Sequence, residues 1–397
     1  MRACMYYVVA AVVLAGSVSV GLAEEAAAPA ATPIKIGVLT ELSGVMGALG
    51  SESQDGLLLA IQQNGGRLGG VPVEVISEDT ANNPATAISK VKKLVESDNV
   101  AMLLGPMSSA TAAAIRGYVI EHHIPTFITA TVDELAGDEV FIASFASNPD
   151  WYLAGYLAGK AGFRKAVAQA PDYNAGRAAI KYTTAGFEAA GGKVLQQFLP
   201  RIGTTDFGPF ITQYPSDADV ALVLEIGADG IRFVKQYADY GKPLPLYGAM
   251  AATDEAVLPA EGKAAVGFVG TGIYFSTIDT PANQAFVKAW SATHKVRPGW
   301  HAEAGYATAL MLNQVLAKIG GNAGEHAALM LALHETAVDT PAGSFGFTAG
   351  NIPVSPRYIA QIQDVDGRIE PKIIGVIPTF VPEPKPIALP AGLQLPR

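Results

Sequence analysis

Apolar residues first gather at Ile34-Lys35-Ile36-Gly37-Val38-Leu39-Thr40, where they alternate and then run together, the signature of a buried strand. A glycine-rich turn, LSGVMGALG at 42–50, comes next, and then a helical stretch that Gly65-Gly66 ends. Val73-Glu74-Val75-Ile76 reads as the following strand. Asn83-Pro84 starts a helix, because Asn caps well and Pro suits the first helical position. Within that helix Ile88, Val91, Leu94 and Val95 share one face, the face that packs on a sheet. A strand at 100–104, a helix at 110–121 and a strand at 125–129 complete a first unit.

The alternation restarts after about residue 150. Helices are expected at 151–161, 176–190 and 230–240, with a further one before residue 220, and strands at 166–169, 194–198, 220–225, 246–247 and 268–274. Two long helices, 281–294 and 301–319, come next, and the segments 358–363 and 373–377 around Asp366-Gly367 read as a hairpin. Two similar units without a strict sequence repeat predict an α/β protein of two open, doubly wound parallel-sheet lobes, each sheet covered on both faces. Ligands of such sheets bind outside the carboxyl ends of the strands, so a cleft between the lobes is the expected site.

The N-terminus changes where this fold is expected to work. Arg2, the apolar run YYVVAAVVLA at 6–15 and the small residues Gly21-Leu22-Ala23 predict a signal peptide, residues 1–23, cleaved after Ala23. The apolar run is short for a membrane span, and Cys4 precedes it, whereas a lipidated cysteine would follow it. Residues 24–33, EEAAAPAATP, read as a disordered leader, and 379–397 as a Pro-rich tail. A periplasmic location disfavours enzymes that need cytosolic nucleotides. Cys4 is the single cysteine, so the processed chain would lack disulfides, zinc-thiolate sites and cysteine nucleophiles. A charge of -9 argues against nucleic acid and anionic membrane surfaces as partners.

Enzyme signatures are missing: there is no GxSxG, GxxxxGK[ST], HExxH or complete GxGxxG, and Gly270-Thr271-Gly272 is a fragment of the last. His122 and His123 are adjacent and cannot point the same way, so they read as a solvated helix end; no metal or cofactor is expected. What remains are small polar residues at strand ends. Gly105-Pro106-Met107-Ser108-Ser109 precedes a helix, where hydroxyls and free amides can hold an anion or simply cap the helix. Thr129-Ala130-Thr131 offers further hydroxyl and backbone partners, or a plain turn.

Longer strings carry a resemblance. IKIGVLTELSGVMGALG, DTANNPATAISKVKKLVESDNVAMLLGPMSS, the stretch from Gly191-Gly192-Lys193-Val194 to Gly203-Thr204-Thr205-Asp206-Phe207, Asp172-Tyr173-Asn174-Ala175-Gly176 and Asp279-Thr280-Pro281-Ala282-Asn283 are similar to the periplasmic solute-binding proteins of the branched-chain amino acid importers, over about residues 34–377. The resemblance implies a type I periplasmic binding protein fold, two lobes joined by a three-crossover hinge, with 34–146 plus 279–342 as lobe 1 and 147–278 plus 343–378 as lobe 2. It implies a monomer that closes on a small carboxylate ligand, delivers it to the membrane permease of an ABC importer and catalyses nothing. A sensor module of the same fold is the alternative, and an exported enzyme a more distant one.

By this resemblance Ser109 holds the ligand carboxylate with its hydroxyl and amide, Ser108 lies beside it, and Thr129, Ala130 and Thr131 form the next contact segment. Val132 stands where a contacting Thr is common. Tyr173 closes over the ligand from the second lobe, Leu49 contacts it from the first, and Ile226 or Gly227 falls where an aromatic often sits. Amino-acid binders of the family often place a carboxylate near Ala249-Met250-Ala251; this chain has Met250 there, with Glu225 and Asp254 as nearby acids that can substitute. A buried ammonium without a counter-charge would cost several kcal/mol, so if neither acid reaches the cleft the ligand lacks an α-amino group. Of the aromatics Tyr247, Tyr274, Phe275, Trp300 and Tyr306, core packing is expected for most, with Tyr274 the one nearest the cleft.

Overall fold

A computed structural model describes residues 32–130, 132–143, 147–241, 244–249, 253–380 and 387–397. The first strand, β1 (Ile34–Thr40), lies between β3 (Val71–Asp79) and β4 (Met102–Leu104), parallel to both. β5 (Thr126–Ile128) and β6 (Val140–Ile142) extend the sheet in parallel, and the two-residue β2 (Arg67–Leu68) caps its other edge antiparallel to β3. The order is β2-β3-β1-β4-β5-β6. Helices α1 (Gly47–Gln63), α2 (Pro84–Lys92) and α3 (Ser109–Glu121) connect these strands. Asn83 caps α2 as its sequence predicts, its side chain accepting from the Thr86 amide. The glycine-rich segment at 42–50 is less of a turn than expected, since α1 begins within it at Gly47.

The second sheet repeats the scheme. β7 (Lys165–Gln169), β8 (Lys193–Phe198), β9 (Val220–Val223), β10 (Leu246–Ala249) and β11 (Val269–Gly272) are parallel, with α4 (Ser147–Lys160), α5 (Asn174–Ala189), α6 (Gly208–Ile211), α7 (Gly227–Asp239) and α8 (Leu258–Glu261) among them. The chain then forms α9 (Pro281–Trp290), α10 (Trp300–Lys318), α11 (His326–Glu335) and the strands β12 (Val338–Thr340), β13 (Gly343–Phe347), β14 (Pro353–Val365) and β15 (Arg368–Phe380). β14 and β15 form the expected hairpin, and Asp366 and Gly367 take the positive φ its two-residue turn requires. β14 adds to β11 antiparallel, so the last strands close the second sheet's edge.

The two lobes use one packing device. A Cβ on Gly56 of α1 would lie 1.9 Å from the Ala302 carbonyl of α10, and one on Gly305 of α10 would lie 1.9 Å from the Ser53 carbonyl of α1. Gly155 of α4 and Gly186 of α5 meet the Thr183 and Tyr152 carbonyls in the same reciprocal way. Only hydrogen at these four positions lets the backbones come so near. α10 therefore belongs with the first lobe although it follows the second in sequence. Phe345 and Phe347 of β13 also pack among first-lobe residues such as Phe127 and Phe141. The Ile142 amide donates to Asn351 O at 3.0 Å. On these contacts we place the last crossing near Ile352-Pro353, beyond the boundary at residue 342 that the resemblance implies.

Inside the second lobe, Asp150 of α4 accepts from Arg357 Nε of β14 at 2.7 Å, both side chains being fully buried. Burial holds the Asp150 carboxyl up at about 7, although the guanidinium opposes the rise. Breaking a buried pair from one side is far more costly than replacing both partners. Asp150→Ala should therefore lower the stability measured by urea unfolding by about 3–5 kcal/mol; a loss below about 1 kcal/mol would show that the pair does not tie α4 to the sheet.

Candidate ligand-binding site

The first-lobe half of the site hangs on Glu41, the residue that follows β1. Its side chain is buried and accepts four hydrogen bonds. Oε1 takes Thr80 Oγ1 at 2.8 Å and Thr111 Oγ1 at 2.7 Å; Oε2 takes the amides of Met107 and Ser108 at 3.0 and 3.1 Å. One carboxylate thus fixes the ends of β1 and β3, the β4–α3 loop and the first turn of α3. The expectation that this loop offers free amides to a ligand needs a correction: those of Met107 and Ser108 are committed to Glu41. The first-turn amides of α3, from Ser109 onward, have no intrahelical acceptor, and Ser109 Oγ is buried with no hydrogen-bond partner. The amides of Thr129 and Ala130 donate to Pro106 O, both at 3.2 Å, so those residues contribute side chains or carbonyls rather than N–H groups.

The second lobe supplies the facing wall. Tyr173 is the N-cap residue of α5, and Ile226 that of α7. Both lie at carboxyl ends of parallel strands, as the topology predicts. Gly227 has φ 51, and a Cβ there would come within 2.6 Å of the Val45 carbonyl and 3.8 Å of Leu49 Cδ1. The lobes therefore touch at this point, which closes that side of the cleft. Tyr182 Oη reaches Glu134 Oε1 at 3.4 Å, a second bridge between the lobes.

Between the walls lies a pocket of about 490 Å³, counted together with the space that opens to solvent. The first lobe lines it with Met46, Leu49, Met107 and Thr129; the second with Trp151, Tyr173, Leu224 and Ile226. Asp254, Trp300 and His301 complete it. Asp254 accepts from the amides of Ala256 at 2.8 Å and Trp300 at 3.1 Å, pinning the start of α10. Burial pushes its carboxyl up to about 6. Glu52 and Glu255 are also raised, by burial first and then by the negative charge of Asp254. His301 is driven down to about 3 by burial, so its imidazole is neutral, and its Nδ1 has no hydrogen-bond partner. Its ring lies 3.5 Å from that of Trp300, centroid to centroid.

Of the residues singled out from sequence, Leu49, Thr129, Tyr173 and Ile226 line the pocket. Ser108, Ser109 and Ala130 are buried next to the lining residues Met107 and Thr129 but outside the wall itself. Thr131 and Met250 lie outside the described residues. Glu225 faces away: it accepts from Gln169 Nε2 at 2.9 Å, and Gln169 in turn accepts from Tyr214 Oη. Burial raises it to about 8, which leaves it a poor partner for an ammonium. Tyr274, expected nearest the cleft, is instead fully buried and donates to Asn283 Oδ1 at 2.8 Å. Its strand ends at Gly272, and the chain then turns into the core. Trp300, expected in the core, lines the pocket with Trp151 and His301, which sequence reasoning did not select. No spacing signal marks them, because each stands in the first turns of a helix that only the fold aims at the cleft.

A family model described as periplasmic binding protein matches residues 33–368. The chain belongs to this family. A relative in Brucella suis, Leu/Ile/Val-binding protein homolog 7, is 29% identical over 341 residues, 80% of this chain and 84% of the relative. Among solved structures, an ABC transporter substrate-binding protein from Sphaerobacter thermophilus is 35% identical with a TM-score of 0.82, covering 88% of this chain and 99% of its own. A solute binding protein of an ABC transporter from R. palustris, solved in complex with benzoate, is 28% identical with a TM-score of 0.84, covering 89% and 98%. The two-lobed periplasmic binding protein fold is thus shared with these two structures, both of them binding proteins of ABC transporters. No described helix of this binding protein is long and apolar enough to cross a membrane.

Two outcomes follow for this binding protein. Gly227→Ala puts a side chain in the left-handed region, at about 1–2 kcal/mol, and against the Val45 carbonyl. Small-angle scattering should then show a larger radius of gyration than for the parent protein; an unchanged value would mean that this contact does not set closure. Stability should also depend on pH. Glu225 and Glu261 are raised by burial from 4.5 to about 8, so their contribution is complete below about 4.5 and is lost as pH rises through about 8. His301 acts in the opposite sense, but only between about 3 and 6.5. The melting temperature should therefore fall by several degrees between about pH 6.5 and 8.5; a flat profile would show that these acids stay hydrated in the folded protein.

Proposed function

We propose that the protein is the extracytoplasmic substrate-binding component of an ABC importer, and that it captures a small monocarboxylate with a flat apolar body, of the benzoate class. The observation that carries this reading is the make-up of the pocket. Its wall draws on both lobes and is dominated by Trp151, Tyr173, Trp300 and aliphatic side chains. A ligand there contacts both lobes at once, and so favours the closed form by its differential affinity. The carboxylate lies toward the start of α3, where the unpartnered Ser109 hydroxyl is buried next to the lining residues Met107 and Thr129 and turns to receive it. The likeness to the benzoate-bound protein supports the aromatic body. The permease subunits engage the rims of the closed lobes, and the neutral His301 offers a donor or acceptor to a ring substituent. Export rests on the signal-like residues 1–23, which lie outside the described residues.

One observation favours a second reading. Asp254 lines the pocket, so one of the two acids that could serve an α-ammonium does reach it. An apolar amino acid would then lie with its carboxylate at Ser109 and its ammonium at Asp254. The two readings differ in the sign of their pH dependence. An ammonium needs Asp254 ionised, so leucine affinity would fall as pH drops through about 6. A benzoate needs no charge there, and protonation removes a repulsion, so its affinity would hold or rise.

A thermal-shift screen of the ligand-stripped protein against benzoates, phenylpropanoids, aliphatic acids, leucine, isoleucine and valine tests both. A binder at 100 times its Kd should add about 2.7 kcal/mol, enough to move the melting temperature by a few degrees. Benzoate-class stabilisation that Ser109→Ala abolishes is the expected result. Stabilisation by branched-chain amino acids alone, weakening toward acid pH, would replace the first reading with the second. Turnover of any bound compound would overturn both.

A further inference from the structure

The pair of adjacent histidines divides in the folded protein. His122 stacks on Tyr118 with ring centroids 4.0 Å apart. His123 takes a positive φ of 53 and turns the other way, toward Glu139. Its Nδ1 lies 3.2 Å from Glu139 Oε1, while Nε2 of His326 lies 2.8 Å from Glu139 Oε2. His123 lies just past α3, Glu139 just before β6 and His326 at the first position of α11, the two histidines being 16 and 187 residues from Glu139 in the chain. One ligand atom from each lies within 4.8 Å of the other two.

From this geometry we infer that His123, Glu139 and His326 form a binding site for a divalent late transition-metal ion, zinc by donor type. Two imidazoles and one carboxylate are a common zinc donor set. Tetrahedral bonds of about 2.0–2.2 Å place ligand atoms about 3.4 Å apart, a spacing that small rotations of the two imidazoles reach from the present contacts. Glu139 is 5% exposed, and its ion-pair partners among the described residues are these two imidazoles alone. Nearby, Arg116 is committed to Asp138 at 3.3 Å and to the Leu135 carbonyl. His123 is largely solvated, its side chain 74% exposed, so water can complete the coordination.

The site lies away from the ligand pocket. His123 and Glu139 precede the parallel strands β5 and β6, whereas Met107 and Thr129 of the pocket follow β4 and β5. A metal here acts as a clip, fastening α11 to the outer edge of the first sheet. It is independent of what the cleft binds, and its failure would leave the proposed function untouched.

The test uses the untagged protein, stripped with a chelator and titrated with zinc chloride by calorimetry. One saturable site is expected, with zinc also raising the melting temperature and magnesium, which prefers oxygen ligands, giving neither effect. His123→Ala and His326→Ala should each weaken binding about 100-fold, while His122→Ala leaves it unchanged. Both His variants alter partly or largely exposed side chains, and circular dichroism checks that they fold. Absence of saturable zinc binding would overturn the site. So would binding that survives both substitutions, or a triad whose effect on stability tracks protonation alone.

Discussion

A single buried carboxylate organises the ligand-facing edge of the first lobe. Glu41 collects two hydroxyls and two amides from three segments, the end of β3, the β4–α3 loop and the first turn of α3, and hydrogen bonds to a charged acceptor are worth about 1.5–3 kcal/mol each. Loops at the carboxyl ends of parallel strands have no ladder of their own to hold them. Here the acceptor that ends β1 substitutes for that ladder, and its geometry decides which amides remain for a ligand. Because the Met107 and Ser108 amides are taken, the next amides of α3 and the buried Ser109 hydroxyl are what remains for the proposed ligand carboxylate.

The second lobe meets this edge through close backbone approach rather than through charge. Gly227 against Val45 lets the two rims touch, and the pocket behind them is lined mainly by apolar and aromatic side chains. Water exclusion has a consequence for the acids around it. Asp254, Glu255 and Glu261 are buried, and burial shifts all three toward the neutral form. A closed cleft with partly neutral acids is less hostile to an anion than the count of carboxylates suggests. It also makes closure and protonation interdependent, because opening the lobes would rehydrate the groups nearest the rim.

Much of the secondary structure was legible along the chain. The 3.6-residue stripe of α2, the Asn83 cap and the alternating run of β1 depend on neighbours in sequence, and they fold as read. The short strands β6, β12 and β13 were not legible, since three to five residues carry no period. α11 was missed as well: it opens on His326 and two alanines and ends on His334 and Glu335, with little amphipathic contrast to mark it. The pocket divides in the same manner. Leu49, Tyr173 and Ile226 were found through the family resemblance of the segments that hold them, not through periodicity. Trp151, Trp300 and His301 were not, since a helix position says nothing about which way its first turn is aimed.

The sequence by itself determined the two-unit alternation, the placement of ligand chemistry at strand ends and the absence of the familiar catalytic motifs. These follow from local periodicity and residue type, which the chain displays directly. The tertiary structure alone decided which acid reaches the pocket, Asp254 rather than Glu225, and that Tyr274 is core while Trp300 is wall. It alone brought His326 to Glu139 across 187 residues. Such pairings depend on crossovers and on helix packing distances fixed by glycines such as Gly56 and Gly305. Long-range geometry of that kind has no signature in the neighbouring residues.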